Sequence, residues 1–300
     1  MILSAKYIKA CALRVGFHDC GIARAKALEG FREHLDHWLD SGHHGTMAFM
    51  EEHREKRSNP QELLPDARSV ISLVLSYKPT QTLSCETKIA TYAYGKDYHE
   101  RIKALLFQLI AAIRESYPDF EAKPCVDTVP ISDKWWARQA GLGWIGNNTL
   151  LIHPRYGSFV NLAELVTTAE ADHYDVPLES RCDDCTLCQQ ACPNGALRTH
   201  DGVPMLDARS CTSYNTIENR ADSLPSQLHT RGYVFGCDIC QNACPFNRQT
   251  PPMRDISDEQ IASLSKLIDS DEATFKKLTK HSAMNRIKRV QWLRNIQFNN

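Results

Sequence analysis

Long apolar runs are missing from this 300-residue chain. Stretches such as Val70–Leu75 stop far short of the roughly 18–20 residues that a membrane-crossing helix needs. No membrane partner is therefore expected. The N-terminus, MILSAKYIKACALRVGFHDCG, has no charged segment leading into an apolar one and no twin-arginine pair. That absence excludes the usual export signals, and the expectation is a cytoplasmic chain. Net charge is also nearly absent, at −1 from 35 basic and 36 acidic residues. Low complexity is absent too: with 42% hydrophobic and 24% charged residues, the composition is that of a soluble globular protein rather than a disordered one.

Charge becomes informative once it is divided along the chain. From Ala273 to Asn300 there are seven basic residues and no acidic one, leaving 28 basic against 36 acidic residues, net −8, in the first 272. A basic patch on an acidic body either solvates a helix face or meets an anionic partner such as nucleic acid.

Cysteine divides the chain more sharply. Of twelve cysteines, eight lie between Cys182 and Cys244, while Cys11, Cys20, Cys85 and Cys125 are scattered and read as buried small hydrophobes. The expected organisation is a domain over 1–175, a cysteine-rich domain over 176–250 and a helical, basic region over 251–300. The first of these mixes α and β, giving an α+β fold class. Helical spacing marks Ala5–Val15, Gly30–Asp40 and Tyr98–Tyr117, and strand patterns mark Ser69–Tyr77, Ile89–Tyr94, Lys123–Val126, Thr149–His153 and Phe159–Thr168. Past Pro251 and Pro252, apolar residues at helical spacing predict two or three helices.

CDDCTLCQQACP places Cys182, Cys185, Cys188 and Cys192 at spacings of two, two and three, followed by Pro193. This is the bacterial ferredoxin run, in which the first three thiolates converge on one 4Fe-4S cluster and the fourth ligates another. The second motif is CDICQNACP, with Cys237, Cys240, Cys244 and Pro245, and the thiolate still missing is most economically Cys211. The exchange rule then assigns Cys182, Cys185, Cys188 and Cys244 to one cluster and Cys192, Cys211, Cys237 and Cys240 to the other. Zinc sites and a disulfide framework are the alternatives; the spacing argues against the first and the missing export signal against the second. Clusters with four cysteine ligands have no open iron, so they relay electrons and the chemistry lies elsewhere.

AGLGWIG is formally a GxGxxG, with Gly141, Gly143 and Gly146. A dinucleotide site needs a strand before it and a helix after it, whereas DKWWARQA reads as helix and NNTLLIH as strand. Asp133 is read as the cap of that helix. Asn147-Asn148-Thr149 is a glycosylation sequon by letter only.

The segments VDT (Val126–Thr128), ISDKWWARQAGLGWIGNNTLLI (Ile131–Ile152), YGSFVNLAEL (Tyr156–Leu165) and CTSYNTIE (Cys211–Glu218), with both cysteine motifs, closely resemble the epoxyqueuosine reductases. YGKDYHE (Tyr94–Glu100) and EKRSNP (Glu55–Pro60) match that family's N-terminal motifs, and RIKRVQWLRNI (Arg286–Ile296) resembles the start of its helical repeats, so the chain reads as a short form. The resemblance implies a cobalamin-dependent enzyme that reduces the epoxide of epoxyqueuosine to queuosine at the wobble position of a tRNA anticodon. A monomer fed by an unidentified electron donor is expected. Asp127 matches the proton donor, which the chemistry would want with a raised pKa beside an apolar cofactor face. Arg57, Ser213, Leu151 and Leu162 fall in segments that contact cobalamin, together with Asp127, while Asp97, Tyr98 and His99 fall at the substrate pocket. With RNA as substrate, Lys288, Arg289 and Arg294 become candidate phosphate contacts. Two other readings are a reductive dehalogenase-like enzyme acting on a small substrate and a ferredoxin-like electron carrier.

Overall fold

Every residue of SVISLVLS, Ser69–Ser76, is buried, so this strand must be covered on both faces. The structure, a computed structural model describing residues 1–299, achieves this with an antiparallel four-stranded sheet. Ser69–Ser76 lies between Asp19–Arg24 and Val160–Thr167, and Ala122–Cys125 pairs with the far side of Val160–Thr167. Ile71, Leu73 and Leu75 point into a core shared with the helices Ala5–Val15 and Tyr98–Arg114. Val70 and Val74 point the other way, beneath the helices Glu29–Asp40 and Asp133–Gln139. Alternation along one strand thus fixes two layers of helix around the sheet.

The strand Asp19–Arg24 was not expected, because its pattern is broken by Gly21. That glycine is required by packing: a Cβ there would lie 1.9 Å from the carbonyl oxygen of Ala140, at the end of the helix Asp133–Gln139. Close approach of that helix to the sheet therefore excludes any side chain. The expected strand Ile89–Tyr94 is a correction of the opposite kind. Only Lys88–Ile89 pairs, and Thr91–Ala93 forms a 3-10 turn, because the Thr91 N–H donates to the Asp238 carboxylate at 2.7 Å.

The expected domain boundaries do not divide the packing. Tyr233–Phe235 pairs in parallel with Lys88–Ile89. A third core joins Ile89 and Tyr94 to Phe235 from the cysteine-rich region and to Leu264, Phe275 and Trp292 from the tail. Three helices, Asp258–Ile268, Glu272–Thr279 and Arg289–Gln297, build that tail, so its chain is part of the body. Arg294 is corrected here: it is 8% exposed, and its guanidinium donates to the carbonyls of Asn219 (2.9 Å) and Asn215 (3.0 Å). A cation whose donors are spent on buried carbonyls fastens a helix and does not meet phosphate. Among the described residues no helix is long and apolar enough to cross a membrane.

Candidate active site and cluster sites

Each cysteine motif folds into the same local shape. The helices Leu187–Ala191 and Ile239–Ala243 begin on caps with φ, ψ of −114°, 9° and −111°, 9°. They end on Cys192 and Cys244, which turn to extended backbone at −67°, 113° and −72°, 124° because a proline follows each. These two helices pack together, which carries the last cysteine of each motif to the other side. Cys182, Cys185, Cys188 and Cys244 consequently line one small space, together with Asn148 and Phe246. The other four form their own group: ionisation of Cys240 is opposed first by burial and then by Cys237, Cys211 and Cys192. Burial pushes Cys188 up to about 11 and Cys237 up to about 12, so both stay as thiols until bound iron takes the proton's place. All twelve cysteines are free of disulfides. The reading of the scattered four as buried holds for Cys11, Cys20 and Cys125, whereas Cys85 is exposed.

A second assembly sits where the helix Tyr98–Arg114 begins. Asp97 caps that helix, accepting from the His99 N–H at 2.9 Å, and its Oδ1 also lies 2.7 Å from His99 Nδ1. On the other side of the ring, His99 Nε2 lies 2.8 Å from Asp127 Oδ2, and the Tyr98 hydroxyl donates to the same oxygen at 2.9 Å. Asp127 reaches this position from a backbone with φ of +42°, in a tight turn closed by the Thr128 N–H on the Val126 carbonyl. Such a conformation in a residue other than glycine is strained, and the surrounding contacts must hold it. The Asp127 side chain remains 59% exposed, so the array opens to solvent, whereas His99 is 28% exposed.

Both ring nitrogens of His99 face carboxylates, so both donate only when the ring is a cation. Burial opposes that charge, but the bonds to Asp127 and Asp97 outweigh it and raise the pKa above the usual histidine value. Asp127 is correspondingly lowered, chiefly by the His99 bond, which outweighs burial. The expected raised carboxyl is therefore corrected: in this state Asp127 is ionised and the proton resides on His99.

The array adjoins the second cysteine group. Tyr92 meets Tyr98 edge-on at 6.1 Å between ring centres and Phe235 at the same distance. A Cβ at Gly236, the residue before Cys237, would come within 3.3 Å of the Tyr92 ring. Asp127, Tyr98, Tyr92 and the strand entering Cys237 thus pack in series. Arg286 borders the same array, held by Glu218 through two bonds of 2.9 Å and lying 5.8 Å from the centre of the Phe49 ring.

Behind the array lies a polar seam. Sheet register aligns Ser72, Glu164 and Cys125 on one face. Glu164 is fully buried, with no group but the facing Asp133 carboxyl to share a proton with its carboxylate, and the Ser72 hydroxyl is without a partner. Asp133 faces Glu164 from the helix above, which corrects its reading as a cap: Ser132 holds the cap position and Asp133 begins the helix. Burial pushes Asp133 up to about 6; burial and then the Asp133 charge push Glu164 well above the usual carboxylate range. One carboxyl proton therefore stays in the folded seam at pH values where the unfolded chain, with Glu164 near 4.5, has lost it. The folded state then binds more protons, so stability falls as pH rises above about 4.5. Glu164→Gln is expected to flatten that fall, measured as the thermal midpoint between about pH 5 and pH 8; parallel slopes would remove the seam from the titration.

The remaining sequence candidates divide. Arg57 is half-buried, donates to the Phe49 carbonyl at 2.9 Å, and lies close enough to Asp133 and Asp127 to feel both charges; its Nε is sealed without a partner. Ser213 is half-buried beside Cys211. Leu151 is buried in the core under the helix Asp133–Gln139, with Leu162 half-buried at its rim. Lys288 is exposed, while Arg289 spends its guanidinium on the Ser270 carbonyl at 2.8 and 3.0 Å. Sequence reasoning gave no role to Tyr92, Glu164, Glu218 or Arg286; the last three fall in segments that resemble the family, but nothing in those segments says that the fold brings them beside Asp127 or Asp133.

GxGxxG, as expected, is not a nucleotide loop: Gly141 and Gly143 follow a helix, and the strand Trp144–Ile145 leads into a hairpin with Leu151–Ile152. Residues 57–128, which run from Arg57 through Asp127, match the family model described as epoxyqueuosine reductase QueG, DUF1730. Residues 181–247 match a 4Fe-4S double cluster binding domain, which accounts for both thiol groups. Epoxyqueuosine reductase of Leadbetterella byssophila is 39% identical over 300 residues, covering 98% of this chain and 97% of that protein. The structure of epoxyqueuosine reductase from Streptococcus thermophilus superposes with a TM-score of 0.85 at 29% identity, covering 97% of this chain and 79% of that one. A crystal structure of epoxyqueuosine reductase with an epoxyqueuosine-modified tRNA-Tyr stem loop gives 0.83 at 29% identity, over 98% of this chain and 80% of that one. With similarity this extensive, and with the matched segments containing both thiol groups and the Asp97, His99 and Asp127 array, the chain belongs to the epoxyqueuosine reductase family.

Proposed function

We propose that this chain reduces the epoxide of epoxyqueuosine to the alkene of queuosine in the anticodon of a cytoplasmic tRNA, using cobalamin and two 4Fe-4S clusters. The observation that carries this reading is the solvent-facing array of Asp97, His99, Asp127 and Tyr98, which packs through Tyr92 against the strand entering Cys237. Two C–O bonds of the epoxide break, a C=C bond forms, and the oxygen leaves as water, which requires two electrons and two protons. The clusters pass electrons singly. Cobalamin, when bound and reduced, supplies a centre that is both strongly reducing and nucleophilic.

The amide-rich edge of a corrin offers acceptors to Arg57, which is half-buried close to Asp127 and whose Nε has no partner. Arg57, Ser213, Leu151 and Leu162 would hold it, with Asp127 facing the reacting carbon–oxygen bond. Asp127 then delivers protons to the leaving oxygen, and its ionised resting state requires a supply. His99 provides that supply from Nε2 to Asp127 Oδ2, while Asp97 keeps the imidazole charged and oriented. Tyr98 donates to the oxygen that receives the proton and so fixes its direction. An anticodon base reaches such a site unstacked, without a duplex being opened. Of the three tail candidates, Lys288 is exposed while Arg289 and Arg294 are spent on backbone carbonyls, so Lys288 would be the one of them to meet RNA phosphate.

The test is anaerobic turnover of tRNA bearing epoxyqueuosine, with added cobalamin and a strong artificial reductant, read by nucleoside mass spectrometry. Loss of one oxygen mass only when cobalamin is present is the expected result. No conversion by protein shown to carry iron and corrinoid would overturn the reading and favour a dehalogenase-like reduction of another substrate.

A further inference from the structure

Asn148 is the least explained polar residue near the first thiol group. Its side chain is 3% exposed, and its Nδ2 is sealed from solvent with no acceptor. The orientation is set by chemistry, because Oδ1 accepts the Leu150 N–H at 3.2 Å. Turning the amide over would set donor against donor, so Nδ2 is the atom left free. The same residue lines the space enclosed by Cys182, Cys185, Cys188 and Cys244.

The surrounding turn is built to hold it there. Thr149 takes φ of +63°, a strained value for a β-branched residue, and its N–H donates to the Gly146 carbonyl at 2.8 Å. Gly146 admits no side chain, since a Cβ would lie 2.3 Å from Ile152 Cδ1 and 3.1 Å from Asn148 Oδ1. Lys134 Nζ donates to the Thr149 carbonyl at 2.7 Å, and Asn147 Nδ2 donates to the Cys185 carbonyl at 2.8 Å, tying the turn to the cysteine loop. A buried amide whose acceptor side is pinned and whose donor is unpartnered, lining the space of four thiols, would find its acceptor in the sulfur of a cluster bound there.

We propose that Asn148 donates an N–H···S hydrogen bond to the cluster held by Cys182, Cys185, Cys188 and Cys244, and thereby sets that cluster's reduction potential above what its ligands alone would give. The inference rests on the two-cluster reading. A hydrogen bond to sulfur stabilises the reduced cluster, which carries one more negative charge, more than the oxidised one. The second cluster already receives such a bond from the backbone, where the Ala196 N–H meets Cys192 Sγ at 3.3 Å. Asn148 would supply the corresponding bond to the first from a side chain, which makes it open to substitution.

The experiment is an anaerobic redox titration of the cluster-loaded protein, followed by electron paramagnetic resonance, for wild type and Asn148→Leu. One of the two reduction steps is expected to become about tenfold harder, a shift of about 59 mV to lower potential for a one-electron couple, while the other stays in place. Unchanged potentials in a variant with full iron would overturn the proposal. Should Asn148→Leu fail to load, wild-type protein made with asparagine labelled with 15N only at its side-chain amide decides the matter. A 15N coupling to the reduced first cluster that persists in equally labelled Asn147→Ser supports the bond, and absence of coupling in the wild type refutes it. Wild-type iron well below about eight atoms per chain would instead overturn the two-cluster reading and this inference with it.

Discussion

Asp127→Asn is expected to lower turnover by about 10²–10⁴-fold while iron, corrinoid and tRNA binding remain. The side chain keeps its size and can still accept from Tyr98, so what disappears is the capacity to carry a proton between His99 and the leaving oxygen. His99→Gln separates the supply from the delivery. Glutamine can donate its amide N–H to one of the two carboxylates, Asp97 or Asp127, but not to both sides, and it holds no titratable proton. In wild type, turnover is expected to fall as pH rises through the His99 pKa, which lies above 6.5 because Asp127 and Asp97 outweigh the burial that opposes the charge. His99→Gln should abolish that limb of the profile as well as slowing the reaction. Stability follows the same sign. The His99 contribution is complete below 6.5, where the unfolded ring is also charged, and is lost as pH rises through the raised value. That of Asp127 is complete above 3.8 and is lost as pH falls through its lowered value. A pH profile of single-turnover rates that is identical in wild type and His99→Gln would place the proton source elsewhere.

The array's meaning was only partly legible in the sequence. Asp97, Tyr98 and His99 stood out through a resemblance, but their joint orientation toward Asp127 depends on a strained turn 28 residues away that no periodicity announces. Their polarity was misjudged for the same reason: a carboxyl beside an apolar cofactor suggests a raised pKa, and only the fold reveals the imidazole bonded to it. The burial of Glu164 was not legible, since a strand pattern over Phe159–Thr168 does not say that both faces of the strand are covered by helices. Arg294 shows the limit of counting charge. Its neighbours in sequence are basic, yet its guanidinium is satisfied by carbonyls of residues 73–79 positions away. Strand Asp19–Arg24 was hidden because the glycine that permits helix packing also breaks the hydrophobic alternation. The cysteine spacing carried further than any of these, because cluster ligation is encoded in a few consecutive residues.

The two motifs still exchange one ligand each, and that exchange makes the strongest prediction about the cysteine-rich region. Cys244 belongs by sequence to the motif of Cys237 and Cys240, but it lines the space of Cys182, Cys185 and Cys188. Cys244→Ala should therefore remove the cluster of the first motif and spare that of its own, lowering iron from about eight to about four atoms per chain. Cys240→Ala should do the converse. The consequences for activity differ because the second group is the one packed against the array: Tyr92 touches both Tyr98 and the Phe235–Gly236 segment leading to Cys237. Losing that cluster breaks the route at its last step, so even strong artificial reductant should recover little turnover. Losing the first cluster removes only the outer relay, and a reductant able to reach the second should restore a measurable rate. Equal loss in the two variants under that reductant, or a Cys244→Ala protein whose surviving signal belongs to the first motif, would show that the ligands are not exchanged and that the packing of the two short helices has been misread.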